Sequence, residues 1–154
     1  MKEYTIREDD LTGDAVAALL TLHLQEMHAW SPACSVHAMP IEQLRAADIT
    51  FYAAWDGAVL AACGAIRQLD ACHGELKSMR ADPAYRGKGA GRAVLEHLIS
   101  VAQSRGYTRL SLETGSTEGF EPARQLYRSN GFDECGPFAD YPLDPFSVFM
   151  TRCL

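Results

Sequence analysis

The sequence predicts a mixed α/β domain with a central sheet of about seven strands flanked by about four helices, and three observations carry this. Stretches with two-residue and 3.6-residue hydrophobic periods alternate along the chain. Asp56-Gly57 stands between two apolar runs as a hairpin turn. A glycine-rich turn leads from a strand pattern straight into an amphipathic helix. At 154 residues the chain suits one domain, residues 1–154, whose core needs neither disulfides nor metal.

The elements follow in order. "EYTIRE" alternates and reads as the first strand, and "DLTGDAVAALLTLHLQEMHAW" spaces Val16, Leu19, Leu20 and Leu24 on one helical face behind Asp14. "SPACSVHAMP" is a loop by its prolines and small polar residues, and "IEQLRAA" a second, short helix. "ITFYAAW" and "AVLAACGAIRQL" form the hairpin, and "GELKSMRA" is the fourth strand. After the glycine-rich turn, Val94, Leu95, Leu98, Ile99, Val101 and Ala102 make a helical apolar face that stops at Gly106. "YTRLSLET" is the fifth strand, and "EPARQLYRSNGF" a helix opened near Pro122 and closed at Asn130-Gly131. Two last strands fall around Phe132 to Phe138 and Ser147 to Thr151.

A net charge of -6 works against general affinity for nucleic acid or an anionic membrane surface, so neither is expected as a partner. Any anion site must be local. The five cysteines form an odd set with no CxxC pair and no zinc spacing, which reads as reduced thiols in a cytoplasmic protein without a metal site. The charged "MKEYTIREDDL" lacks the apolar stretch of a signal peptide, and no segment approaches the ~20 apolar residues of a membrane span.

The local anion site is "DPAYRGKGAGRAV", three glycines and three cations opening a helix. Glycine lets a ligand approach the backbone, and the first helical turn offers N–H groups without partners. Two nucleotide patterns fail here. Lys88 is followed by Gly89 rather than Ser or Thr, and Gly87-x-Gly89-x-Gly91 has the wrong period for a dinucleotide fingerprint.

Arg86-x-x-Gly89-x-Gly91 does fit the R/Q-x-x-G-x-G/A signature. With "ELKSMRADP" before it, the amphipathic helix after it and "ARQLYRSNGF" further on, the chain resembles the GNAT superfamily of acyl-CoA-dependent N-acetyltransferases over nearly its whole length. "SLETGS", "FEPARQLY" and "PFADY" with "SVFM" are similar to one bacterial branch of it. The resemblance implies a mostly antiparallel mixed sheet and acetyl-CoA as cosubstrate. It implies that the amides of Arg86, Gly87, Lys88, Gly89, Ala90, Gly91 and Arg92 hold the coenzyme A pyrophosphate, with charge from Arg86, Lys88 and Arg92. It also implies a bulge that splays the fourth strand from the fifth, freeing backbone groups near Met79 and Ala81 for the pantetheine arm. One departure stands out: Phe120 occupies the place where many members carry a pantetheine-binding Asn.

Acetyl transfer from a thioester to an amine needs a proton acceptor for the ammonium, a stabilised oxyanion and a proton for the departing thiolate. Glu75 lies eleven residues before Arg86, where some family members carry a glutamate base when the motifs are aligned without gaps. The other readings of Glu75 are a structural carboxylate at the sheet edge paired with Lys77, with Glu113 or water as base. The backbone N–H of Met79 is the expected oxyanion donor. Tyr127, in the L-Y-x-x-x-G-F helix, is the expected proton donor and cofactor contact, against the alternative of a tyrosine that covers core. Cys63, Cys72 and the serines have no visible base partner, so direct transfer is expected over a covalent acyl-enzyme.

The loop with Trp30, Ser35 and His37 lies where the superfamily builds its acceptor pocket, and these residues with Glu113 are candidate acceptor contacts. The acidic balance suits a cationic amine, whereas Arg80 beside the expected thioester suits a carboxylate. The reading is an N-acetyltransferase of a small amine or amino-acid-like metabolite. Its alternatives are acetylation of a protein lysine or N-terminus, and a non-catalytic acetyl-CoA sensor. Late strands of this fold pair across a two-fold axis often enough to favour a homodimer.

Overall fold

The computed structural model describes residues 2–37 and 39–154; Met1 and Ala38, the latter in the loop expected after the first helix, lie outside the described residues. The strands are β1 (Thr5–Glu8), β2 (Ile49–Asp56), β3 (Val59–Gln68), β4 (His73–Ala81), β5 (Arg109–Gly115), β6 (Asp133–Cys135) and β7 (Ser147–Cys153). The helices are α1 (Asp14–Trp30), α2 (Ala90–Ser104) and α3 (Glu121–Ser129). The sheet runs β1-β2-β3-β4-β5-β7-β6, antiparallel at every step except β4 beside β5. This is the mixed, mostly antiparallel sheet of seven strands that the sequence predicts.

The apolar periods decide which face each helix covers. Val94, Leu95, Leu98 and Ala102 of α2 pack with Tyr127 of α3 and with Ala62, Ile66 and Leu76 of the sheet. On the other face Val16, Leu19 and Leu20 of α1 meet Phe51, Ala53, Cys63 and Ala65. β3 is buried from Leu60 to Ile66 because both layers press on it, so its sequence reads as a near-continuous apolar run. Each buried Leu or Ile contributes about 1.5–3 kcal/mol.

Two expectations need correction. "IEQLRAA" is not a helix but a single 3-10 turn at Gln43–Arg45. Pro40 opens it and Ala46 is already extended, so one turn is all that fits, and one turn does not repay the cost of a helical nucleus. Three α-helices and short 3-10 turns therefore replace the four helices. The strand expected over Phe132 to Phe138 is only Asp133–Cys135; Phe132 is a core side chain, and Gly136-Pro137 ends the pairing.

The feature that positions the site is a break in the middle of the sheet. Cys63 pairs with Arg80 but Ala65 pairs with Lys77, so the β3–β4 register slips there. Ser78 takes up the extra residue with φ of 54°. Gly64 faces this bulge, where a Cβ would stand 2.5 Å from the Met79 sulfur, so only glycine lets Met79 seat over β3. The β4–β5 ladder stops at Leu76 and Leu112, and beyond it the two strands diverge.

Candidate active site

A cavity of about 550 Å³ fills the opening between β4 and β5, running from the glycine-rich turn past Met79, Ala81 and Tyr127 to Glu75 and Glu113. At one end Gly89 is the residue preceding α2, with φ of 82°, and Gly87 has φ of 73°. A Cβ at either would meet nothing within 4 Å, so the bare backbone borders open space. The N–H of Arg86 donates to Pro83 O and that of Lys88 to Tyr85 O. Gly87, Gly89, Ala90, Gly91 and Arg92 are left with no backbone acceptor among the described residues. That cradle, at the positive end of a helix with no side-chain cap, fits a pyrophosphate.

The three cations of the turn are placed differently. Arg92 lines the cavity and pairs with Glu96 at 3.0 Å. Arg86 lines it too, with Nη2 2.9 Å from Glu26 Oε1. Lys88 does not border the cavity: its Nζ stands 5.9 Å over the Tyr85 ring, so its expected charge contact is not seen. Replacing Gly89 with Val should lower coenzyme A affinity at least about tenfold in isothermal titration, because a branched residue resists positive φ and fills the approach to the free amides. Unchanged affinity would remove the turn from the binding site.

Tyr127 reaches the middle of the cavity because α3 is tied to the end of β5. Arg124, buried, donates from Nη1 to Thr117 O at 3.0 Å and also to Gly115 O. The Tyr127 ring packs edge-on to Phe132 at 6.0 Å and is 6% exposed. No hydrogen-bond partner for its hydroxyl is seen among the described residues, and the residue lines the cavity. Burial raises the phenol's pKa well above its usual value, with the Arg80 charge opposing, which favours the protonated form.

Glu75 is not at a sheet edge. β4 lies between β3 and β5, and Glu75 is 1% exposed. Its Oε2 accepts a short hydrogen bond from the Tyr141 hydroxyl and lies 3.4 Å from Lys77 Nζ, which also donates to Tyr141 at 2.7 Å. Its Oε1 is buried with no partner among the described residues. On β5, Glu113 has Oε2 3.5 Å from His37 Nδ1, without the alignment of a hydrogen bond. Burial raises the Glu113 pKa, against smaller opposing effects of Ser147, His37 and Lys77.

A raised carboxylate pKa means folding disfavours the charged form, so its stabilising contribution exists at low pH and is lost as pH rises through the folded value. Glu113→Gln should therefore melt higher than wild type at pH 7, with the gap closing as pH falls below the ordinary carboxylate range of about 4.3. Thermal melts across pH test this; a gap that widens toward acid would contradict it.

Of the acceptor candidates, Trp30, His37, Arg80 and Glu113 line the cavity. Trp30 sits close over Gly119, where a Cβ would be 2.6 Å from the indole, and edge-on to Phe120 at 5.2 Å. Ser35 does not line it: its buried hydroxyl donates to Asp144 Oδ2 at 2.7 Å and ties the loop to the chain before β7. Arg80 is not a free carboxylate clamp. Its Nη1 donates to Glu26 Oε2 at 3.0 Å, its Nε donates to His23 Nδ1 at 3.1 Å, and its guanidinium lies 5.5 Å over the Trp30 ring. His23 is neutral, its pKa pushed down to about 3 by burial and by Arg80. Sequence reasoning missed Glu26, His23 and Tyr141. The only local signal was "PFADY", because the partners lie 54, 57 and 66 residues apart.

A parallel strand pair split beside a helix N-terminus with free amides, with a buried phenol along the split, is the frame of an acyl-CoA-dependent N-acyltransferase. The Acetyltransferase (GNAT) family matches residues 16–132, and the chain belongs to that family. It is 54% identical over 149 residues to the uncharacterized N-acetyltransferase YsnE of Bacillus subtilis (strain 168), covering 97% of this chain and 99% of that one. It is 48% identical over 151 residues to the uncharacterized N-acetyltransferase YedL of Escherichia coli (strain K12), covering 98% and 95%. Its fold superposes with a TM-score of 0.80, at 29% identity over 98% of this chain and 97% of the other, on a crystal structure assigned as an acyl-CoA N-acyltransferase from Klebsiella pneumoniae subsp. pneumoniae. Among the described residues no helix is long and apolar enough to cross a membrane.

Proposed function

We propose that the chain transfers an acetyl group from acetyl-CoA directly to the amine of a small metabolite, with Tyr127 as acid and Glu75 as base. The observation that carries this is one cavity joining three things: free amides leading into the first turn of α2, a buried tyrosine and a buried carboxylate with one oxygen unpartnered among the described residues. Acetyl-CoA, when bound, supplies the activated acyl group and a thiolate leaving group. The chain's own residues then have separate tasks.

The amides of Gly87 and Gly89 to Arg92 receive the pyrophosphate, and the diverged edge of β4 at Met79 and Ala81 receives the pantetheine arm. Met79 N–H, on the strand stretch without a β5 partner, is the donor for negative charge developing on the thioester oxygen. Glu75 Oε1 takes the ammonium proton, while Tyr141 and Lys77 occupy Oε2 and fix the carboxylate. Tyr127 gives its proton to the leaving thiolate. Phe120 offers no hydrogen bond to pantetheine; packed on Trp30, it walls the cavity with apolar surface instead.

A small acceptor is favoured over a peptide because α1, His37 and the Tyr141 loop surround the carboxylate end, with His37 and Tyr141 edge-on at 5.2 Å. Isothermal titration with acetyl-CoA followed by thiol release over amines and lysine-containing peptides tests the proposal. Binding with release on small amines is the expected result. Binding with no release on any acceptor would leave a sensor, and release on peptides alone would reverse the size assignment.

A further inference from the structure

Resting on the acetyltransferase reading, we infer that the acceptor is a primary ammonium on an aromatic or apolar body with no carboxylate beside the amine. Glu75 and Glu113 face the ammonium, while Glu26 keeps Arg80 from serving an acceptor carboxylate.

The cations bordering the carboxylate end are already engaged. Arg80 is 10% exposed, its Nε donating to His23 and its Nη1 to Glu26, with Cζ 5.5 Å over the Trp30 ring, so its charge is already balanced. Glu26 is shared with Arg86, whose Nη2 lies 2.9 Å from Oε1 and 3.1 Å from Oε2. When a pyrophosphate sits on the turn, Arg86 gains a second anion, and Glu26 is left more fully to Arg80. Lys77, 8% exposed, is held by Tyr141 and Glu75.

The anions are in the opposite condition. Among the described residues Glu75 Oε1 is buried without a partner, and Glu113, 8% exposed, has a misaligned contact with His37 Nδ1 and no ion pair with a lysine or arginine. Two buried carboxylates against one bordering lysine leave the end net negative and short of donors. Leaving buried acceptors unsatisfied is unfavourable, and a ligand with several N–H donors and a positive charge relieves it. An ammonium does so; an adjacent carboxylate would lie among the same two anions, and the arginine and lysine charges bordering it among the described residues are already balanced by Glu26 and Glu75. Phe120, edge-on to the Trp30 ring that Arg80 overlies, offers apolar surface for the acceptor's body. Arg80 is the arginine best placed to reverse this preference, and Glu26 on α1 holds its charge.

Three pairs differing only in the carboxylate test the inference: phenethylamine and phenylalanine, tyramine and tyrosine, tryptamine and tryptophan. Phenylalanine methyl ester controls for bulk at the same carbon. Isothermal titration onto the coenzyme A-saturated protein reads binding, and thiol release from acetyl-CoA reads turnover. The amines and the ester should bind, and be acetylated, on the order of 10²-fold better than the amino acids, the scale of a site whose buried polar groups reject the wrong partner. Glu26→Gln should shrink that ratio at least about tenfold by releasing Arg80 to an acceptor carboxylate. Amino acids that bind as well as their amines overturn the inference, as does a panel in which no amine binds. A Glu26→Gln ratio equal to wild type removes Glu26 from the selection. If amines bind selectively but no thiol is released, the acetyltransferase reading fails while the selectivity stands.

Discussion

Tyr127→Phe should bind coenzyme A and melt like the wild type, yet transfer acetyl roughly ~10²-fold or more slowly in a single turnover, the scale of general-acid catalysis. The ring packs against Phe132 and the core under α2, and the substitution leaves all of that contact in place. Only the hydroxyl disappears. No partner for that hydroxyl is seen among the described residues, so its loss breaks no hydrogen bond within the fold, and stability has little reason to change. A tyrosine that merely covered core would give the reverse pattern, with a negligible kinetic effect from Phe and a loss of about 3 kcal/mol or more from Ala, as for other large aromatic truncations. Because burial raises the phenol's pKa, any alkaline fall in the wild-type rate from Tyr127 should lie above the pH at which a free phenol titrates. Single-turnover measurement is required, since slow product release would mask the chemical step. A wild-type rate in Tyr127→Phe, where thiolate departure is limiting, would remove the acid assignment.

How far the sequence reached follows the range of each interaction. The helices α1 and α2, the hairpin at Asp56-Gly57 and the glycine-rich turn were legible because periodicity, turn chemistry and φ-permissive glycines act over a few residues. Tyr127 and Glu75 entered through motif resemblance, and the chain brings both to one cavity. The bulge entered only through the resemblance, and nothing local marks Ser78 as its place, since a non-glycine residue adopts positive φ there under tertiary packing of Met79 on Gly64. Arg80 was legible as a cation but not as a committed one. Its partner Glu26 lies on α1, 54 residues earlier in the chain, and neither residue has a local cue to the other. Ser35 failed for the complementary reason: a small polar loop residue looks alike in sequence whether it faces a ligand or anchors to Asp144.

Glu75→Gln should cut kcat/KM at pH 7 by about 10²–10⁴-fold, and the loss should shrink by about tenfold for each pH unit up to roughly the amine's own pKa. The reasoning rests on the acceptor. An alkylammonium of pKa near ~10.4 is free amine in only about one molecule in 2,500 at pH 7, and in about one in 25 at pH 9. Without a base the enzyme depends on that fraction, so log kcat/KM should climb with a slope near one. Gln keeps the shape of Glu75 and still accepts from the Tyr141 hydroxyl, but it leaves Lys77, 8% exposed, without its carboxylate. A stability loss is therefore expected beside the kinetic one, and melts at each pH must show a folded enzyme before rates are compared. A positioning role gives a different result, a raised KM with a pH profile parallel to wild type, because the proton would then leave by another route in both enzymes. Glu113 provides the internal comparison, being the other buried carboxylate of the cavity and the one whose pKa burial raises. If Glu113→Gln shows the unit slope and Glu75→Gln does not, the base is Glu113. If neither does, the proton passes to water, and Glu75 is left as an electrostatic contact for the ammonium.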